Sequence, residues 1–436
     1  MITRRVHKQH ILFAAASVLA LAASAPAGHA RAEAAPPHDE QEVEQVEITA
    51  PPSPVTAVAP MRAALSETEP EAIITRKFIE EAAPRVGDFS TIAVMAPSMV
   101  SKPNPNGSGL SDGGKITMRG FADGQYNVTF DGIAWADTNG PSHHGTAFFP
   151  SSTIGGVIVD RGPGNATDLG QANFGGQINL ISLPFEQTKS FTAVATTASY
   201  NTNQGVLTAQ SGTLSDLHDA HVLVNFQELG SNGYLSYNRT WSNNEMIKGD
   251  FALTDKLKVT ALYEHSTGYY NKSDVSDATV AQTEQFGRNF SLSNNPMYTD
   301  YYGYNWVHKD TDFAYVRLAG DLGDGFGVDQ TLYDYDYSNH TESGQTANTT
   351  TAGDMVTLTP GAAYPAPGKA YPTSLQTVGV PAYYKKNQYI VMGDITKFTK
   401  DFSFGQLTLG GMTEEAKSVR FIEDIDALTG QPDYRE

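Results

Sequence analysis

The sequence predicts a mainly β protein: a small α/β plug domain followed by an incomplete antiparallel transmembrane β-barrel. Three observations predict it. Runs 115–119, 126–135, 154–161 and 174–182 are short and β-like, and turns dense in Gly, Asp and Pro separate them. Beyond Lys189 comes a long series of alternating polar and apolar runs with no sustained helical period. The chain also lacks Cys and is sparing in charge while rich in Gly and Tyr, a usage that suits a large antiparallel β protein better than a helical one.

At 436 residues there is room for two or more domains. The 48 acidic residues outnumber 29 basic ones, for a net charge of −19. That balance argues against nucleic acid or anionic lipid as the main partner, since both reward Lys and Arg, though charge alone identifies no partner. The missing Cys excludes a disulfide framework and thiolate metal sites.

Residues 1–30 have the form of an export signal: Arg4, Arg5 and Lys8 precede an apolar stretch over 11–25. Small residues at Gly28, Ala30 and Ala32 offer cleavage sites. A twin-arginine address on Arg4-Arg5 is the alternative, weakened by His7 and Lys8 where apolar residues would follow. Residues 31–70, rich in Ala, Pro and Glu, are a flexible tether. Within it Glu44, Gln45, Val46, Glu47, Ile48, Thr49 and Ala50 alternate polar and apolar side chains before Pro51-Pro52. A strand-forming segment in a loose tether suits addition to another protein's sheet edge; the plain alternative is a linker that happens to contain valine.

Order is expected from about Glu71. Thr75 caps a short helix running to Ala83, and Asp88 caps another to Met95, ended by Pro97. With the four β-like runs they make a globule over 71–186. The wall over 187–436 has candidate strands at 189–200, 204–214, 219–229, 243–253, 257–270, 311–322, 326–342, 387–399 and 404–421. Each carries one apolar and one polar face, as a cylinder between lipid and a wet lumen requires. Tyrosines near strand ends suit an interfacial girdle, and Asp334 and Asp336 are expected to face the lumen. Short links at 215–218, 254–256, 323–325 and 400–403 alternate with long ones at 230–242, 271–310 and 343–386. Two unlike barrel rims would sort them so.

Arg119-Gly120-Phe121, Asp131-Gly132, Arg161-Gly162-Pro163 and Gly175-Gly176 with Asn179 follow in an order and spacing that resembles the TonB-dependent outer-membrane receptors. Residues 44–50 look like that family's TonB box. The resemblance implies a plug threaded into a 22-stranded barrel and energised uptake through TonB and its inner-membrane complex. It further implies residence in the outer membrane, in contact with its lipid. Ferric siderophores are the family's usual ligands; cobalamin, haem, copper and oligosaccharides are rarer. It implies no cofactor. It also implies that Arg119 and Arg161 pair with wall glutamates. Two departures stand out. Gly155 and Ile158 replace acidic residues usual before the Arg-Gly-Pro element, and the chain ends without the family's terminal aromatic strand, so a truncated product is expected.

His143 and His144, with Asp123 and Asp137 on neighbouring plug loops, are candidate contacts for a metal chelate; the plain alternative is a pair of solvated loop histidines. Asp321 to Gly325 lacks the ligand alternation of a calcium loop, so a hairpin turn is expected. Gly162-Pro163-Gly164 has no Lys-Ser/Thr after it and is no phosphate cradle. No nucleophile elbow, zinc motif or paired acid/base site marks an enzyme. Aromatics over 298–306 and 364–384 either touch ligand or fold long loops. The rival classes are a passive porin or adhesin, which has no use for a tethered strand, and a secreted all-β enzyme.

Overall fold

The computed structural model describes residues 70–432 apart from 103, 105, 107–109, 112–114, 163, 165–167, 273–277, 297–298, 345–379 and 428. The export signal, the tether with residues 44–50, and Pro163 lie outside the described residues.

The globule starts with β1 (Glu71–Thr75), α1 (Arg76–Ala82) and α2 (Phe89–Ala93). Both predicted caps form: Thr75 accepts from the Phe78 amide, and Asp88 accepts from the amide and hydroxyl of Ser90. Strands β2 (Met99–Lys102) and β3 (Lys115–Met118) pair as a separate ribbon. Next come β4 (Asn127–Phe130), β5 (Ile133–Ala134), α3 (Gly145–Phe148), β6 (Ile154–Asp160) and β7 (Gln177–Ser182). The sheet order β1-β6-β7-β4-β5 leaves β1 on an edge.

The run expected over 126–135 is not one strand. It folds back at Asp131-Gly132, both with positive φ, as a two-residue hairpin. Gly176, with φ +120°, lies so near the Asp160 carbonyl that no Cβ fits. Strands β1 and β2 were not foreseen.

The second sheet holds β8 (Ser190–Ala198), β9 (Thr202–Gln210), β10 (His221–Ser231), β11 (Thr240–Ala252) and β12 (Leu257–Asn271). It continues through β13 (Trp306–Gly323), β14 (Phe326–Gly344), β15 (Pro381–Phe402), β16 (Gly405–Asp426) and the short β17 (Gln431–Pro432). All pair antiparallel with their sequence neighbours. The nine candidate strands of the sequence each correspond to one of β8–β16.

One rim carries the links 199–201, 232–239, 272–305 and 345–380, and the other carries 211–220, 253–256, 324–325 and 403–404. The expected alternation holds from 232–239 onward, but the first two links reverse it, since 199–201 is shorter than 211–220. Asp324-Gly325 is a tight positive-φ hairpin, not an ion loop. Strand length grows from 9 residues in β8 to 22 in β15 and β16. About 9–11 residues suffice to cross a bilayer, so the later strands project well past one.

The faces of this sheet are inverted relative to a water-soluble protein. Asn225, Gln227, Asn244 and Thr311 are buried against the globule, while Val222, Val224, Ile247 and Tyr263 on the opposite face are exposed. An outward apolar face with a polar interior is the pattern of a membrane barrel wall. Among the described residues no helix is long and apolar enough to cross a membrane, which says nothing of strands.

One expectation is corrected here. Tyr333, Tyr335 and Tyr337 are buried on the globule's side, because Tyr335 and Tyr337 pack against Phe148 and Tyr333 stacks on Tyr335. The strand period of two then places Asp334 and Asp336 on the face turned away from it, where Asp336 registers with Asp312.

Candidate functional site

The candidate site is the seat of the globule in the wall, together with the loop over 137–145 above it. It begins at the β4–β5 turn. The positive φ of Asp131 aims its carboxylate back along β7, where it accepts from the amide (2.9 Å) and hydroxyl (2.6 Å) of Ser182. The same carboxylate accepts from the Tyr315 hydroxyl of β13 at 2.8 Å. One turn thus ties two plug strands to the wall.

Beside it, α3 ends with its last carbonyls toward the wall. A helix leaves such groups unsatisfied, and here wall hydroxyls supply the donors. Thr311 donates to Ala147 O at 2.7 Å and Ser266 to Phe148 O at 3.2 Å. Phe313 meets Phe149 and Phe130 edge-on, with ring centroids 5.1 and 5.6 Å apart. Lys248 donates to Leu183 O, and Gln204 to Arg85 O. The contact therefore has a small aromatic centre and a polar surround, made from β9, β11, β12 and β13.

Above this seat the two histidines part company. His143 is wholly enclosed. Its Nδ1 lies 2.6 Å from Asp123 Oδ1, its amide donates to Asp123 Oδ2, and its ring sits among Tyr126, Trp135 and Phe89. Burial works to raise the Asp123 pKa, but the hydrogen bonds and charge of His143 outweigh it and hold the carboxyl below its usual value.

His144 stacks flat on Tyr337 of the wall, with centroids 4.5 Å apart. Its Nε2 lies 3.3 Å from Asp137 Oδ2, which also accepts from Asn387 of β15 at 2.9 Å. Burial foremost lowers the His144 pKa, and Asp137 offsets this in part. For Asp137, burial is outweighed by its bonds from His144, the Asn139 amide and Asn387, which bring it to about 2. The four candidate contacts thus form two separate His–Asp pairs. Among the described residues no group of three His, Asp or Glu side chains is placed to hold a metal ion.

The remaining predicted residues gather where the chain enters the globule. The Arg161 amide donates to Pro70 O at 3.0 Å and its Nε at 3.3 Å. The Arg119 guanidinium donates to Arg161 O. Among the described residues both guanidiniums bond to main chain rather than to a wall glutamate. Gly175 lies against Phe121, and Asn179 donates to Asp160 and accepts from Thr129. Gly120 and Gly132 have positive φ, and Gly162 is buried. The tyrosines over 301–304 fold their own loop around Asn305, whose amide donates to Thr299 O and Tyr301 O. Sequence reasoning missed Tyr315, Asn387 and Asn305; none stands in a local pattern that marks it.

Residues 64–177 match the family model described as the TonB-dependent Receptor Plug Domain. This globule is a TonB-dependent receptor plug.

Solved structures agree on the fold. The ferric citrate transporter FecA in its unliganded form is similar at TM-score 0.63 and 14% identity, over 84% of this chain and 50% of that one. The siderophore receptor PiuA from Acinetobacter baumannii follows at 0.55 and 13%, over 81% and 46%. The open form of the ferric-catecholate import receptor Fiu from E. coli K12 gives 0.54 and 16%, over 84% and 53%. The chain spans about half the length of these receptors. No curated protein matches it in sequence.

Proposed function

We propose that this chain forms the plug and the first strands of an outer-membrane receptor that takes up a scarce ligand with energy supplied through TonB. A ferric siderophore or other metal chelate is the ligand class we favour. The carrying observation is a plug seated by scattered polar bonds against a sheet whose other face, over β10 to β12, exposes Val222, Val224, Ile247 and Tyr263. Each such bond is worth about 0.5–1.5 kcal/mol net, and water can replace it, so the plug can shift without the wall unfolding. An enzyme would need convergent reactive groups; in this seam the Asp131 carboxylate is taken up by Ser182 and Tyr315, and the Lys248 ammonium by the Leu183 carbonyl.

In this reading the loop over 137–145, held by Tyr337 and Asn387 of the wall, senses ligand arriving from the long-loop rim. Residues 44–50 then pair as a strand with TonB. Tension along the tether would arrive first at Pro70, where Arg161 and Arg119 fasten the chain, and next at the edge strand β1. Peeling an edge strand breaks its ladder one bond at a time, which favours local release over global unfolding. Deletion of 44–50 should abolish energised uptake and leave ligand binding intact. Unchanged uptake would refute the mechanism, and lost binding would point to misfolding instead. A passive porin is the second reading, and uptake that persists without TonB would favour it.

A further inference from the structure

The long-loop rim carries a folded segment, residues 287–296 and 299–305, with a specific seat on the end of the wall. Asn305 is wholly enclosed there and uses both ends of its side-chain amide. It donates to Thr299 O and Tyr301 O, and it accepts from the Ser343 hydroxyl and the Gly344 amide at the end of β14. Gly344 matters as glycine, because the Thr299 carbonyl occupies the place of a Cβ. On its other flank the segment is zipped to the 232–239 link. Ser236 donates its hydroxyl to Leu292 O and its amide to Asn289 O. The plug reaches the same link, where its Asn106 accepts from the Leu235 amide at 2.9 Å.

Within this well-bonded segment one group is left out. Both carboxylate oxygens of Asp300 are enclosed and have no hydrogen-bond partner among the described residues. Its carbonyl accepts from the Ser293 amide at 2.8 Å, so the backbone holds the residue in place. Among the described residues no cation answers it. Arg239 of the 232–239 link lies over the Tyr302 ring at 6.0 Å, Lys272 after β12 is engaged elsewhere, and Arg288 on the segment itself is exposed. Glu342 of β14 and Asp426 of β16 act on Tyr304. The neighbouring phenols are raised, Tyr301 foremost by its hydrogen bond with Tyr302 and Tyr304 by burial, and they stay neutral.

Burying an ionised carboxylate alone costs far more than burying the neutral acid. Burial, offset in part by its own amide, pushes the Asp300 pKa up to about 7. Lifting the segment into water would return the group to an ordinary value of about 3.9. The seated form therefore holds its proton more tightly than the lifted one. Its seat is at full strength below the ordinary value, and that strength is lost as pH rises through the seated one.

We propose that this segment is a proton-operated cover of the long-loop rim, seated on β14 and the 232–239 link while Asp300 is protonated and lifted when it ionises. Its use in governing ligand entry rests on the uptake reading; the switch itself does not.

The test is amide exchange of the full chain folded in detergent, without ligand, with protection factors corrected for the intrinsic pH dependence of exchange. Over 289–296 and 299–305 protection should be greatest at pH 5, fall about tenfold per unit toward pH 7, and level off by pH 8.5. Asp300→Asn, neutral and of the same shape, should hold the pH 5 level throughout. Gly344→Ala, which blocks the seat, should lie low at both ends of the range. Burial lowers the His144 pKa, so protection over 137–146 should move the opposite way, which a general effect of acid would not produce. Equal protection at pH 5 and 8.5, or a pH dependence that survives Asp300→Asn, overturns the proposal. Restoration of protection at pH 8.5 by calcium also overturns it, since the carboxylate would then serve a cation. Deletion of 44–50 tests the uptake reading separately, and neither result decides the other.

Discussion

Asp131 concentrates more of the plug's attachment than any signature glycine. Its carboxylate serves Ser182 twice within the plug and Tyr315 once across the seam. Asp131→Ala would leave a backbone amide and two hydroxyls without their acceptor, at a cost of about 3 kcal/mol. Tyr315→Phe removes a single bond and should cost about 1 kcal/mol. The midpoint of plug unfolding in detergent measures both, and equal effects would show that Asp131 acts through the wall alone. A pH effect belongs to this scale too. The fold depresses the His144 pKa, so the unfolded chain takes up the proton first. Its contribution is present above the unfolded value of about 6.5 and is lost as pH falls through the lowered folded value. Asp137, held at about 2, contributes above its unfolded value and loses that only in strong acid. The protection factors of amides over 137–146, corrected for the intrinsic pH dependence of exchange, should therefore fall on going from pH 7.5 to 5. His144→Phe, which keeps the ring on Tyr337, should abolish the change.

At the scale of elements, the wall was legible because each of its strands must satisfy two different solvents, which writes a period of two into the sequence. His221 to Gln227 shows it without interruption: His221, Leu223, Asn225 and Gln227 face in, while Val222 and Val224 face out. Glu71–Thr75 was not legible, since five residues at the end of a tether are too few to show a period, and only pairing with β6 makes them a strand. The site resisted for another reason. Asp131-Gly132 announces its turn locally, but Tyr315 lies 184 residues away and carries no mark of its role. His143 and His144 are neighbours, yet their rings meet different partners, Asp123 for the first and Asp137 with Tyr337 for the second. The pairing of β1 gives a test of the release step. Ile73 and Ile158 are register partners, both half-buried, in a chain without Cys. The double variant Ile73→Cys with Ile158→Cys, once oxidised, should block uptake and leave ligand binding unchanged, and reductant should restore uptake. Full uptake with the bond closed would show that β1 stays in place during transport.

For the whole molecule, the question is which solvent the outer face of the wall meets. Ile247 and Val224 are neighbours on that face, with side chains left open, while Asn225 and Asn244 are buried opposite. A water-soluble sheet would tolerate a charge at Ile247, because an exposed isoleucine there makes no required contact and surface substitutions change stability by about 0.5 kcal/mol or less. A bilayer would not. Arginine on the lipid face near the midplane of a barrel costs about 2–4 kcal/mol, and the penalty shrinks toward either interface. Ile247→Arg should therefore lower folding stability by that order in phospholipid vesicles, read from a urea titration. Phe251→Arg, nearer the short-link rim, should cost less. The same pair compared in detergent micelles, which deform around a guanidinium, should differ little. A small and equal effect of both variants in vesicles would mean that the exposed apolar face meets water or another protein. The polar seam would then be an ordinary domain contact, and the case for a plugged transporter would fall with it.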